Sequence, residues 1–147
     1  MQINSAVLAG VLPSTSNTMT HLLADVATLL PSECHNEQRA VGLEKKIRAE
    51  GLWTRPLFID RTTRVVMDGH HRLAASRPLG LTIIPCLALD YDDPAVSVSR
   101  WENDEPISPD EILAAAIAGK LLPYKTTKHV VSRSWSFSPM PLELLRR

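Results

Sequence analysis

The stretch that decides the fold is Val65-Val66-Met67-Asp68-Gly69-His70-His71-Arg72-Leu73. Its first three residues are typical of a buried strand and its last ones favour a helix, so the pattern predicts a strand that turns into a helix at Gly69. At such a junction the first free backbone N–H groups point outward and can bind an anion. The alternative is a plain turn in which Asp68 caps the helix and the two histidines are solvated.

Shorter signatures on either side of this junction predict the remaining elements. Pro85 directs its strand toward a sheet edge or a bulge, because proline lacks the N–H that a central strand needs. The other predicted elements are a helix from Asn36 to Glu50 ended by Gly51, a hairpin of Leu57–Asp60 and Arg64–Met67, a two-turn helix after Gly69, strands at Thr82–Tyr91 and Val96–Trp101, and a helix capped by Ser108 and ended by Gly119. Together they predict one α/β (α+β) domain with a small mixed sheet and short helices.

The composition limits the class of protein. The chain has 147 residues, 44% of them hydrophobic, with 16 basic and 16 acidic residues, which fits one globular domain and excludes a disordered chain. A zero net charge argues against nucleic acid as a partner held mainly through its phosphates. The apolar run Ala6–Leu12 is too short to span a membrane and no basic residue precedes it. We therefore expect a cytoplasmic protein without a membrane partner.

Three further features carry chemistry. Lys120–His129 combines three lysines, two threonines and a histidine without an acid, which suits a phosphate, and Pro123 predicts a loop there. A solvated basic loop is the alternative. Glu33 could serve as a general base or be an ordinary surface glutamate. Cys34 and Cys86 have neither metal-ligand spacing nor a disulfide pattern, and we expect Cys34 to be a small buried side chain.

These segments together resemble the ParB/sulfiredoxin-like superfamily and, within it, the free L-serine kinases. The resemblance covers residues 20–131, which leaves residues 1–19 as an N-terminal arm and 132–147 as a C-terminal tail. It implies transfer of a phosphoryl group from ATP or ADP, with Mg²⁺, to the hydroxyl of free L-serine, giving O-phospho-L-serine.

The resemblance also implies a role for each matching residue. Glu33 and Asp68 would be catalytic, Glu33 as the base for the serine hydroxyl and Asp68 also as a ligand of Mg²⁺. The implied nucleotide-binding residues are Gly69, His70, His71, Arg72, Lys125 and Thr126, and the implied substrate-binding residues are Trp101, Thr127, Lys128 and His129.

Two other activities occur in the same superfamily. Sulfiredoxin chemistry is disfavoured because it needs a cysteine thiol where this chain has His70. A ParB-like regulatory module, which binds a nucleotide without transferring phosphate or associates with DNA, is the main alternative. The chain lacks a helix-turn-helix pattern and a basic surplus, which argues against DNA. The sequence does not decide whether the protein forms a homodimer.

Overall fold

The computed structural model describes residues 19–147, so all but the last residue of the predicted N-terminal arm lies outside it. Within this range no helix is both long and apolar enough to cross a membrane. The elements are β1 (Thr20–Asp25), α1 (Glu37–Glu50), β2 (Leu52–Trp53), β3 (Leu57–Asp60), β4 (Val66–Asp68), α2 (His70–Ser76), β5 (Ile83–Leu89), β6 (Val96–Arg100), α3 (Pro109–Ala118), β7 (Thr127–Val131) and β8 (Met140–Pro141), with short 3₁₀ turns at Val26–Thr28 and Leu142–Leu145.

A four-stranded mixed sheet in the order β1-β5-β3-β4 forms the centre of the domain. Strand β5 is antiparallel to β1 and parallel to β3, and β3 forms the predicted hairpin with β4. The mixed sheet with short helices is therefore confirmed, whereas the edge position that Pro85 suggested is wrong. The sheet tolerates Pro85 because the first parallel pair with β3 is Leu57↔Cys86, one residue later, so the missing N–H costs no bond in that ladder.

All seven residues of β5 are buried because both faces of the sheet are covered. Alternate residues point to opposite faces of a strand. Cys86 and Ala88 therefore join the main core with α1 and the C-terminal segment, and Leu87 and Leu89 pack in a second cluster beneath β6 and β7. The result is a sheet held between two layers, and the site lies where β4 leaves this sheet.

The helix boundaries follow the capping signals in the sequence. The Asn36 side chain accepts a hydrogen bond from the Arg39 N–H at 2.9 Å, and Gly51 ends α1 with a φ of 70°. Ser108 caps α3 in the same way, and Gly119 ends it. Both predicted helices are confirmed because polar caps and left-handed glycines act locally, without needing tertiary contacts.

Two C-terminal segments differ from a simple reading of the sequence. The loop predicted for Lys120–His129 is confirmed over 120–126, but its last three residues belong to a strand, Thr127–Val131, which pairs antiparallel with β6 from Val96↔Val131 to Arg100↔Thr127. Segment 132–147, set apart as a tail by the resemblance, forms β8 against β2 and places Leu142 and Leu145 in the main core.

Candidate active site

Eleven of the twelve predicted site residues line one cleft of about 300 Å³ between the β4–α2 junction, the start of α1 and the β7 strand. Thr126 is the exception. Its hydroxyl donates to the Pro123 carbonyl, and it lines a neighbouring depression with Arg100 and Glu111. The two clusters that lie more than 50 residues apart in the sequence therefore form one site.

Gly69 determines the path of the chain at the centre of the cleft. Its φ of 117° is strained for any residue with a Cβ, and a Cβ there would lie 2.8 Å from Cγ of buried Leu57. A β-bulge in β4 precedes it, since Phe58 pairs with Asp68 while the next residue of β3 pairs with Val66. The bulge and the glycine together turn Asp68 into the cleft and start α2 immediately afterwards.

His70 and His71 are held as neutral acceptors. The Ser32 backbone N–H donates to Nε2 of His70 at 3.1 Å, and the Asn36 N–H donates to Nε2 of His71 at 3.0 Å. A backbone N–H can only donate, so in the neutral rings the proton lies on Nδ1. Burial lowers the pKa of His70 to about 4 and also lowers the pKa of His71. These bonds fasten the segment around Glu33 to helix α2.

Arg72 presents a guanidinium without a complete set of partners. Its Nη1 is buried and has no hydrogen-bond partner among the described residues, and its Cζ lies 5.8 Å from the centre of the Trp53 ring. Burial and nearby Arg55 lower the pKa of Arg72. A half-buried arginine that lines the cleft and has an unused N–H donor has the chemistry expected of a phosphate-binding residue.

Asp68 has an exposed carboxylate, and one of its oxygens is paired. Arg55 Nη2 lies 3.1 Å from Asp68 Oδ2. No group of three or more histidine, cysteine, aspartate or glutamate residues in the described range could hold a metal ion by itself. A single carboxylate fits Mg²⁺ that is bound mainly by nucleotide phosphates and water, so the residues present fit the implied ion only together with a nucleotide.

Glu33 is neither a surface residue nor free. Its Oε1 accepts hydrogen bonds from the Thr127 N–H at 2.9 Å and the Thr127 hydroxyl at 2.8 Å, and Oε2 accepts from the Lys125 N–H at 3.2 Å. The side chain lies at the cleft wall with only 9% of the residue exposed. A carboxylate has about four acceptor positions, so one remains for a proton donor in the cleft.

Trp101 joins two lysines at the opening of the cleft. Its ring lies 5.7 Å from Nζ of Lys125 and 5.1 Å from Nζ of Lys128, within the range of cation–π attraction. Lys128 also forms an ion pair with Asp104. The ring is about half exposed, so these side chains form a positively charged, solvent-accessible rim.

His129 closes the inner end of the cleft beside Asp68. Its Nε2 lies 2.9 Å from the Tyr91 hydroxyl, and burial lowers the pKa of His129 to about 4. Burial also raises the pKa of Tyr91. At neutral pH both groups are therefore uncharged, and they supply hydrogen bonds without adding to the charge of the site.

Several cleft residues were not predicted. Arg39 donates to the Tyr124 hydroxyl at 2.9 Å, and Tyr124 packs edge-on against His71. In the sequence, Arg39 is an ordinary polar residue of a helix and Tyr124 lies in a basic loop, so no motif marks either residue as part of the site. Cys34, expected to be buried, is exposed and lines the same wall because the chain around it bridges to residue 122.

The charge of the cleft is strongly positive. Two carboxylates line it, those of Glu33 and Asp68. The basic residues that line it are Arg39, Arg55, Arg72, Lys125 and Lys128. Such an excess favours a ligand with several negative charges, such as a nucleotide polyphosphate.

Comparison with known proteins finds relatives named as L-serine kinases and one named as a ParB-like protein. No protein-family model matches the chain. It is 36% identical over 97 residues to an ATP-dependent L-serine kinase of Staphylothermus marinus, which covers 61% of this chain and 38% of that protein. It is 42% identical over 55 residues to a ParB-like protein of Sulfolobus acidocaldarius, which covers 37% of this chain and 27% of that one. The matches thus span less than half of either relative.

The structural comparison identifies the fold. A free serine kinase in complex with AMP matches with a TM-score of 0.77 and 13% identity, over 85% of this chain and 93% of that chain. The chain has the fold of that kinase, so the fold expected from the resemblance to the free L-serine kinases is confirmed.

Proposed function

We propose that this protein transfers the terminal phosphoryl group of ATP or ADP to the hydroxyl of free L-serine and releases O-phospho-L-serine. The observation that carries the proposal is a cleft in which a buried carboxylate with one free acceptor position, Glu33, faces an excess of cations that includes the incompletely paired Arg72. The relative from Staphylothermus marinus, named an ATP-dependent L-serine kinase, supports the same reaction.

The chemistry needs positioning more than covalent catalysis. The serine oxygen forms a bond to the terminal phosphorus while the bond to the leaving nucleotide breaks, and the serine proton passes to Glu33. Thr127 and Lys125 hold the Glu33 carboxylate in place through the three hydrogen bonds described above. Glu33 therefore needs only its one free acceptor position to take the proton.

The nucleotide phosphates are assigned to the side of the cleft formed by the residues Gly69–Arg72 and by Lys125. Arg72 supplies a charge-assisted hydrogen bond from its unused nitrogen, and Gly69 lets the ligand approach the backbone. Bound Mg²⁺ would neutralise charge on the transferred group, with Asp68 as its protein ligand. The neutral Nδ1–H groups of His70 and His71 add donors that do not compete with Mg²⁺.

Serine is assigned to the adjoining part of the cleft, near Trp101, Lys128 and His129. Lys128 lies beside the ring at the cleft opening and can attract the carboxylate of a free amino acid. His129 lines the cleft together with Asp68, and its neutral ring offers a hydrogen bond without a charge. Thr126 lies outside the cleft, and a role in nucleotide binding would require the loop to move.

The reaction is tested by incubating the protein with ATP or with ADP, Mg²⁺ and a panel of free amino acids, and by detecting phosphorylated product by mass spectrometry. We expect O-phosphoserine from L-serine and none from alanine, which lacks the hydroxyl. Arg72→Ala should weaken ADP binding in calorimetry by at least about tenfold, because a charged hydrogen bond is lost. Arg48→Ala, which removes an exposed ion pair on α1 outside the cleft, is the matched control.

A ParB-like regulatory module would give a different result. Nucleotide would then bind in calorimetry, with the same dependence on Arg72, and no hydroxyl amino acid would be phosphorylated. Absence of product with both nucleotides and every amino acid of the panel would reject the kinase reaction.

A further inference from the structure

Arg55 lies between Asp68 and a pair of aromatic rings. Its Cζ is 5.8 Å from the centre of the Phe58 ring and 5.3 Å from that of Trp135, and its Nη2 is 3.1 Å from Asp68 Oδ2. The two rings pack edge-on with their centres 5.3 Å apart. The same residues, with His129, border a small cavity of about 100 Å³ next to the cleft.

The ion pair alone would not hold Asp68 in one position. Both partners are about half exposed, with side-chain exposures of 46% for Arg55 and 53% for Asp68, and exposed pairs contribute little and exchange readily with water. The rings change this, because a planar guanidinium packed against two aromatic groups loses fewer orientations when it binds. Phe58 is almost completely buried and therefore fixes one side.

The contact uses only one oxygen of the carboxylate. Asp68 Oδ2 accepts from Arg55, whereas Oδ1 has no hydrogen-bond partner among residues 19–147, and Asp68 lines the cleft. An arginine that binds one oxygen sets the direction of the other. This is the usual arrangement by which a neighbouring group orients a metal ligand or a substrate-binding carboxylate.

We infer that Arg55 is a positioning residue for Asp68, and that Trp135, from the C-terminal segment, holds Arg55 in place. The inference rests on the proposed kinase function and adds two residues to it. Segment 132–147 then contributes to catalysis through Trp135 in addition to its contribution to the core through Leu142 and Leu145.

The alternative is that Arg55 binds the nucleotide directly. Arg55→Met removes the cation and keeps much of the side-chain volume, and Trp135→Leu removes the ring and keeps an apolar group. If Arg55 acts through Asp68, kcat should fall roughly 10- to 100-fold in Arg55→Met and about tenfold in Trp135→Leu, while the Kd for ADP changes less than threefold. Trp135→Phe should restore most of the activity, because it keeps a ring beside Arg55.

A double variant that combines Arg55→Met with Asp68→Asn distinguishes the two roles. In Asp68→Asn, a further Arg55→Met change should lower kcat by less than threefold, because the carboxylate that Arg55 positions is already absent. If Arg55→Met lowers kcat as much in Asp68→Asn as it does in the wild type, or if it raises the Kd for ADP strongly, Arg55 acts on the nucleotide and the inference is overturned. Arg48→Met, at an exposed arginine–glutamate pair on α1, controls for the loss of a surface ion pair.

A spectroscopic measurement does not depend on turnover. The Nε–H resonance of Arg55 in ¹⁵N-labelled protein should carry a ring-current shift that is lost in Trp135→Leu and should change again in Asp68→Asn. A wild-type protein that phosphorylates no serine would reject the proposed function, and the resonance would still decide the inference. A resonance that responds to neither substitution would show that Arg55 is not held by these groups.

Discussion

Replacing Glu33 with glutamine separates a catalytic from a structural role at the site. The carboxylate accepts three hydrogen bonds, two on Oε1 from Thr127 and one on Oε2 from the Lys125 N–H. Glutamine keeps the oxygen that faces Thr127, but its amide nitrogen then faces the Lys125 N–H, and two donors cannot bond to each other. One hydrogen bond is lost, and a partly buried donor is left without a partner.

Two magnitudes follow from this geometry. An unpaired donor and a lost bond to a charged acceptor lower the free energy of unfolding by about 1–3 kcal/mol, which moves the thermal midpoint by several degrees. Loss of a general base lowers turnover by about 10²- to 10⁴-fold. Serine-dependent turnover measured well below the thermal midpoint, together with calorimetric binding of ADP, should therefore show a large loss of kcat with nearly unchanged nucleotide affinity.

The chain contains a matched control. Asp60 is 6% exposed, and its Oδ2 accepts from the N–H and the hydroxyl of Thr63 at 3.0 and 2.6 Å, the same pattern that Glu33 Oε1 forms with Thr127. Asp60 does not line the cleft. Asp60→Asn removes a buried carboxylate charge while its amide oxygen can keep both bonds from Thr63, so it should lower stability no more than Glu33→Gln does and keep turnover within about threefold. The reasoning would be refuted if Glu33→Gln stayed within a few-fold of wild type, or if Asp60→Asn lost as much turnover.

Two further predictions concern stability. His70 and His129 have pKa values near 4 in the folded protein, against an ordinary value of 6.5, so the unfolded chain binds more protons between these pH values. The free energy of unfolding should therefore be nearly constant between about pH 7 and 8 and should fall as the pH is lowered from about 6.5 toward 4. Urea denaturation at several pH values should show this fall, and the fall should be shallower in His70→Gln. Gly69→Ala should lower the free energy of unfolding by at least about 2 kcal/mol, because residue 69 has a positive φ and the added Cβ would contact Leu57. Gly42→Ala, in an open position on α1, should raise the free energy of unfolding by about 0.5–1 kcal/mol. Thermal denaturation of both variants measures this difference.

The local signals in the sequence predicted local structure well. Asn36, Ser108 and the glycines that follow α1 and α3 act through bonds within a few residues, so their helices form as expected. The strand at Thr127–Val131 was missed because it pairs with β6, whose residues lie 27 to 35 positions earlier in the chain, from Arg100↔Thr127 to Val96↔Val131. The edge position suggested by Pro85 is wrong for a related reason. The cost of the missing N–H depends on whether a neighbouring strand pairs with Pro85, and β3 begins to pair only at Cys86. The sequence alone does not show where this pairing begins.

The site also contains residues that a local motif predicts and residues that only the fold brings together. Asp68–Arg72 could be predicted because strand, turn and functional side chains are adjacent in the sequence. Arg55 and Trp135 could not be predicted, because an arginine before a proline and a tryptophan in a serine-rich segment form no recognisable motif. Only the fold brings Arg55 Cζ within 5.3 Å of the centre of the Trp135 ring and places Arg55 beside Asp68. Residues that hold a catalytic group through a second side chain leave a weaker pattern than the group itself, because many sequence positions can reach it. Candidates for orienting Asp68, such as Arg55, are therefore found from the geometry around its carboxylate and not from the sequence pattern.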